Sequence, residues 1–249
     1  MIVIAVALCF VLGLAFGSFA TAVAYRVPRG MSLLGARSAC PACGAQIGAR
    51  DNVPVVSWLL LRGRARCCGA PISPRYPLTE LAVGVLFAAL AVRYRHDPAE
   101  ALIGAVFVTM LAVVTLTDLE QRTIPNKVLL VGSLLCLAIA IPTDLAGVPE
   151  RLAAAALAGG FFFLAALAYP AGMGLGDVKL AAAMGLFLGR AVAPAILVAL
   201  LAGSLVGVYL FLRYGSRARK MAIPFGPFLA LGGVVGILAG GALIDLYLG

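Results

Sequence analysis

The chain divides into eight apolar runs, at 2–25, 77–92, 101–117, 128–142, 152–170, 178–189, 191–212 and 223–247, joined mostly by short polar connections. Runs of this length and apolarity are what a bilayer selects as spanning helices. A single long polar stretch, residues 26–75, interrupts them. The pattern predicts an all-α polytopic membrane protein of about eight transmembrane helices, with a small cysteine-containing insert between the first and second. Composition agrees: 63% of residues are hydrophobic, 12% are charged and the mean hydropathy is +1.09. An ordinary soluble domain is about 45–50% apolar and about 25% charged. The values exclude a soluble globule, a disordered chain and a secreted disulfide scaffold. The 14 prolines and 29 glycines fit as well, since membrane helices tolerate both.

Charge orients the spans. The net charge is +9, an excess that in a soluble protein would suggest nucleic acid. Here it follows topology, and no nucleic-acid partner is expected. If the eight runs cross alternately, loops 26–76, 118–127, 171–177 and 213–222 share one side. With the flanking Lys127 and Lys179, that side holds 15 of the 19 Lys and Arg, from Arg26 and Arg37 in the first loop to Arg217, Arg219 and Lys220 in the last. Arg93, Arg95, Arg151 and Arg190 fall on the other side. Basic residues are retained in the cytoplasm, so the first side is read as cytoplasmic and both termini as outside. The first run lacks a basic leader and exceeds a signal-peptide core, so it is expected to be a retained anchor.

The insert holds eight arginines and four cysteines, too little apolar matter to build a core alone. Cys40 and Cys43, in Cys-Pro-Ala-Cys-Gly, form a knuckle whose two thiolates can reach one tetrahedral metal ion. Cys67 and Cys68 follow 24 residues after Cys43, the distance at which a four-thiolate zinc site places its second pair. A reducing cytoplasm favours metal over disulfide. That pair is adjacent, however, and neighbouring thiolates rarely share one ion. The fourth ligand could therefore be Cys67, Asp51 or water, and a metal-free module stays open. Cys9 and Cys136 lie inside apolar runs and read as small buried hydrophobes.

Ionisable residues at membrane depth are costly and usually functional. Asp118 closes one apolar run, followed by Leu119-Glu120-Gln121-Arg122-Thr123-Ile124-Pro125-Asn126. Asp177 lies in Gly172-Met173-Gly174-Leu175-Gly176-Asp177-Val178-Lys179. Both fall on the cytoplasmic side. The run after Asp177 is only about 18 Å long as a helix and that at 128–142 about 22 Å, against about 30 Å of hydrocarbon. Their cytoplasmic ends are therefore expected to lie below the membrane surface, in a recess where Gly172, Gly174 and Gly176 permit irregular backbone. Two carboxyls facing each other there would share a proton, one activating water and the other polarising a peptide carbonyl. Two plainer readings stand beside this: each Asp caps a helix or pairs with Arg122 or Lys179, or the two relay protons in a transporter. Glu80 sits in the first turn of its span, and Asp245 near the end of the last reads as interfacial.

These motifs together resemble the type IV prepilin peptidases, membrane aspartyl proteases of the Gly-x-Gly-Asp type. The N-terminal part carries Gly17-Ser18-Phe19, Tyr25-Arg26, Arg37-Ser38-x-Cys40-Pro41-x-Cys43, Asp51-Asn52-x-Pro54-x-x-Ser57-Trp58 and Ile72-Ser73-x-Arg75-Tyr76-Pro77-x-x-Glu80. The C-terminal part carries Asp118 with Ile124-Pro125-Asn126, then Gly174-x-Gly176-Asp177-x-Lys179-Leu180, then Ile223-Pro224-Phe225-Gly226-Pro227. The motifs run in order along nearly the whole chain.

The resemblance implies an inner (cytoplasmic) membrane enzyme of bacteria that cuts the leader of prepilins or pseudopilins at the cytoplasmic face, with Asp118 and Asp177 as the catalytic pair. Gly174, Gly176, Lys179, Pro224, Gly226 and Pro227 would shape its pocket, the last three as a substrate-groove lining or simply as a proline-broken helix start. It implies three regions: a first helix at 1–25, a zinc-type module at 26–75 linked to N-methylation of the new N terminus, and protease helices at 76–249. S-adenosylmethionine is then the methyl donor, zinc the expected metal on Cys40, Cys43, Cys68 and Cys67, and Glu80 a candidate methyltransferase residue. Two departures bear on that half: Ala65 replaces the first cysteine of the usual second pair, and Thr21 stands where the family has Asn, so a peptidase without methyltransferase activity is the alternative reading.

Overall fold

The computed structural model describes residues 2–33, 38–170, 173–215, 217 and 223–248. The expectations placed on Arg37, Gly172, Arg219 and Lys220 lie outside the described residues. Nine α-helices and three 3-10 turns make up the regular structure among them, and the chain separates into two compact units, Met1–His96 and Asp97–Gly249.

The first unit is built on α1 (Ile2–Arg26) and α3 (Arg75–Arg93), with the insert and its short α2 (Val56–Leu60) between them. Thus α3, grouped with the later helices in the sequence reading, packs along α1. The contact is set by Gly13-x-x-x-Gly17: a Cβ on Gly13 would stand 2.7 Å from Gly84 Cα, and one on Gly17 would stand 2.6 Å from Glu80 Cα. Backbones meet where side chains are missing, the usual way membrane helices gain van der Waals contact.

The second unit contains α4 (Pro98–Gln121), α5 (Asn126–Thr143), α6 (Val148–Ala168), α7 (Leu175–Leu188), α8 (Val192–Tyr214) and α9 (Gly226–Leu248). Local chemistry sets the ends of α4. The Asp97 carboxylate accepts the Glu100 N–H at 3.0 Å, and Arg122 closes the helix in the left-handed conformation with its N–H on Asp118 O. Helix α6 packs on α7 and α8 on α9, while α4 lies against α5 and α9. Phe107, Phe162, Phe187, Leu180, Met184 and Leu229 fill the interior, with Phe107 stacked on Phe187 at 4.8 Å. The outer faces are apolar too: Leu157, Leu205 and Leu212 are 74%, 71% and 80% exposed. Such surfaces suit hydrocarbon.

Seven stretches among the described residues are long and apolar enough to cross a membrane, and one of them holds two of the eight predicted runs. That stretch covers the runs at 178–189 and 191–212. Helix α7 has 14 residues, about 21 Å, and a 3-10 turn at Gly189–Ala191 joins it to α8 in one 40-residue apolar stretch. Gly189, at φ 54°, breaks the run. The short helix expected after Asp177 is therefore present, and it ends at the turn that leads into α8.

At the end of this unit away from Asp118 and Asp177, Arg151 is buried. It forms an ion pair with Glu100 on α4 and donates to Phe187 O at the end of α7, at 2.8 Å. Close packing extends along α7, where a Cβ on Gly185 would lie 2.5 Å from Ala154 O and 2.6 Å from Ala155 Cα. Gly185→Leu should therefore destabilise the protein by about 1–3 kcal/mol or more through overpacking. Gly207→Ala, with open space around it, should not. Thermal unfolding in detergent checks this, and equal midpoints for the two variants would contradict it.

Candidate active site

Asp118 occupies the last turn of α4 and is buried. Its Oδ2 accepts the backbone N–H of Gly226, the first residue of α9, at 2.8 Å. A Cβ on Gly226 would come within 2.7 Å of that oxygen, so only glycine admits the contact unaltered. Asp118 does cap a helix, but a neighbouring one, and its carboxylate is held by α9 rather than by its own helix.

Asp177 is the third residue of α7, half-buried, behind the N-cap Gly174. Asp118 lies within electrostatic reach of Asp177. The connection between α4 and α5 closes on the same place: Ile124 packs against Gly176, 3.1 Å from where a Cβ would be. Lys179 donates to Asn126 Oδ1 at 3.0 Å, which ties α7 to the start of α5. The Lys179 reading as an aspartate partner is thus replaced by an amide contact. Among the described residues neither aspartate enters an ion pair within 4 Å, although Arg122 lies in electrostatic reach of Asp118. Pro227 occupies the first turn of α9, where its missing N–H costs nothing. The ends of α4, α7 and α9 therefore gather Asp118, Asp177, Gly174, Gly176, Lys179, Gly226 and Pro227.

The insert brings its four cysteines together, with all four Sγ atoms within 4.8 Å of one another. Cys40–Cys68, Cys43–Cys67 and Cys67–Cys68 are 3.7, 3.4 and 3.9 Å apart. A tetrahedron with Zn–S bonds of about 2.3 Å has edges of ~3.8 Å, so the thiols fit a zinc ion. The reservation about adjacent thiolates does not hold in this fold. Asp51 is also removed as the fourth ligand, because Arg66 Nε donates to both its oxygens at 3.0 Å.

The reason is a repeated knuckle. Cys40 N bonds Ala45 O and Gly44 N bonds Cys40 O, both at 2.8 Å. Ala65 N bonds Ala70 O at 2.8 Å and Gly69 N bonds Ala65 O at 2.7 Å. Bridges Ala39–Gln46 and Arg64–Pro71 close the two turns, and Gly44 and Gly69 have φ of 73° and 71°. Position 65 thus corresponds to Cys40 and Cys68 to Cys43. Cys67 occupies the place of Ala42 and supplies the fourth thiol from there. Backbone N–H groups of Ala42 and then Cys43 pull the Cys40 thiol down to about 7, ready to ligate. The hydrogen bond to Cys43, with further thiols beside it, pushes Cys67 up to about 12.

Glu80 belongs to the first unit. It is buried on α3, where its Oε2 accepts the N–H of Val55 at 2.7 Å. Val55 was not singled out by the sequence; its φ of 60° is rare for a β-branched residue and has no sequence signal. The Gly13-x-x-x-Gly17 spacing was a readable signal of the α1–α3 contact. Cys136 is buried as expected, and Cys9 is partly exposed on α1.

Residues 11–94 match the bacterial peptidase A24 N-terminal domain, and residues 105–212 match the type IV leader peptidase family. A Bacillus subtilis protein named prepilin leader peptidase/N-methyltransferase is 34% identical over 242 residues, 96% of each chain. The chain belongs to the type IV leader peptidase family. Proteins of the same name from Pseudomonas putida (34% over 265 residues, 94% of this chain and 91% of that one) and Klebsiella pneumoniae (36% over 197 residues, 74% and 86%) are similar to it. No solved structure gives a significant match. The two matched segments fall one in each compact unit, and Gly226 and Pro227 lie beyond the second segment.

Proposed function

We propose that the protein removes the leader of prepilins or pseudopilins with Asp118 and Asp177 and methylates the new N terminus from S-adenosylmethionine. The observation that carries the reading is the convergence of the two aspartates with the start of α9 in a chain of this family. One carboxylate takes a proton from water, whose oxygen attacks the scissile carbonyl carbon. The other, protonated, donates to the carbonyl oxygen, and the proton passes on to the departing amine. The N–H of Gly226 fixes Asp118, the Lys179–Asn126 contact fixes the start of α7, and Gly174 and Gly176 keep the cleft narrow. Pro224, Gly226 and Pro227 line the groove in which the leader lies. Peptidase action belongs to the helices within 76–249 and methylation to the half that contains 26–75. The protein resides in the bacterial cytoplasmic membrane with both termini outside and the cleft at the cytoplasmic face, where its basic loops lie.

The test is intact-mass spectrometry of a cognate prepilin incubated with the purified protein and S-adenosylmethionine. Loss of the leader and gain of one methyl group is expected. An unchanged prepilin contradicts the peptidase reading, and a cut but unmethylated one contradicts the methylation reading.

Zinc on Cys40, Cys43, Cys67 and Cys68 would be a closed structural site that folds the insert and takes no part in either reaction. One zinc per chain is expected. Cys67→Ala should lose most of it, and adding Ala65→Cys to that variant should restore it, because position 65 matches Cys40 in the knuckle. Metal content by mass spectrometry checks this; full zinc in Cys67→Ala would remove Cys67 from the ligand set.

A further inference from the structure

Residues 1–96 contain ten arginines and two acids, Asp51 and Glu80. Asp51 is held by Arg66. Glu80 has no basic partner among the described residues: its Oε2 takes the Val55 N–H, and the Ser18 side chain lies close by. It is 7% exposed. A buried carboxylate without a cation is expensive and needs a compensating role.

The surroundings are built to present it. Val55 holds φ 60° and ψ −49°, unfavourable for a branched side chain, and so directs its N–H at the carboxylate. Ser57 secures that loop from inside: its hydroxyl accepts the Val53 N–H and donates to Arg50 O, each at 2.9 Å. Gly17 lets α1 press on α3 at Glu80 itself. Motif residues scattered over Gly17-Ser18, Pro54 to Ser57 and Glu80 thus surround one oxygen pair.

We infer that Glu80 is the anionic centre of the methyl-transfer site and receives an onium cation there, either the α-ammonium of the newly exposed N terminus or the sulfonium of S-adenosylmethionine. This rests on the methylation reading above. The chemistry brings two cations together in an arginine-rich unit. The S–CH3 bond breaks with its electron pair left on sulfur, the N–CH3 bond forms, and the attacking ammonium must first give up a proton. A carboxylate without a counter-cation supplies the negative charge that both reactants require and can accept that proton.

Glu80→Gln keeps the shape and an acceptor for Val55 but removes the charge. In the full-length protein, leader cleavage should stay within about twofold of wild type, while methyl transfer falls about 100-fold or more. Glu80→Asp, which keeps the charge, should retain more methyl transfer than Gln. Calorimetry with S-adenosylmethionine separates the two cations: an unchanged Kd places the ammonium at Glu80, and a Kd weakened about 100-fold places the sulfonium there. Methyl transfer by Glu80→Gln at the wild-type rate overturns the inference. So does equal loss of cleavage and methylation in both variants, which would make Glu80 a structural tether. A wild-type protein that cuts but never methylates overturns the methylation reading, and this inference with it.

Discussion

Asp118→Asn and Asp177→Asn are each expected to leave prepilin essentially uncut, with single-turnover cleavage slowed by about a thousandfold or more and the unfolding midpoint close to wild type. Asparagine keeps the size of the side chain, and at position 118 its carbonyl oxygen still accepts the Gly226 N–H. What it cannot do is take a proton from water or donate one to the carbonyl oxygen. General acid–base catalysis is worth about 10²–10⁴-fold per group, and groups that act as a unit lose nearly all of it when one is removed. Cleavage by either variant within tenfold of wild type would remove that residue from the reaction.

Gly226→Ala has the next largest expected effect. The added Cβ would stand 2.7 Å from Asp118 Oδ2 and 3.1 Å from its Cγ, so the carboxylate must move. Misplacing a reacting group by about 1 Å costs on the order of 100-fold, and the loss should fall on kcat with KM little changed. Gly160→Ala on α6 has nothing within 4 Å of its added Cβ and serves as the control. Steady-state cleavage of prepilin by the two variants measures the difference; equal kcat values would show that the Gly226–Asp118 contact does not position the carboxylate.

These expectations mark what could be read along the chain. Long apolar runs announce helices, and a carboxylate at the end of such a run is conspicuous because hydrocarbon excludes charge. Asp118, Asp177 and the polar insert were therefore legible. So were the brevity of the helix after Asp177 and its end near Arg190, where the 3-10 turn Gly189–Ala191 leads into α8. The Gly226 N–H on Asp118 joins residues 108 positions apart, and no periodicity reports a contact of that kind. Lys179 read as an aspartate partner because charge alone was visible; the Asn126 amide it meets comes from another helix.

The cysteines show a different limit. Spacing suggested a knuckle at Cys40–Cys43 and a broken one at Cys67–Cys68. Only the backbone reveals that both turns share one hydrogen-bond pattern, so that a thiol at the Ala42-equivalent position still reaches the cluster. Val55 lies beyond sequence reading for the same reason: its conformation is imposed by Ser57 and Glu80, not by its own preference.

The central claim is that Asp118 and Asp177 act as one catalytic unit. A double-mutant cycle on single-turnover leader cleavage tests it most directly, comparing Asp118→Asn, Asp177→Asn and the double variant. If the two carboxylates share one task, the double variant is no slower than the worse single variant. If the two losses multiply, the aspartates contribute independently and the shared-site account fails.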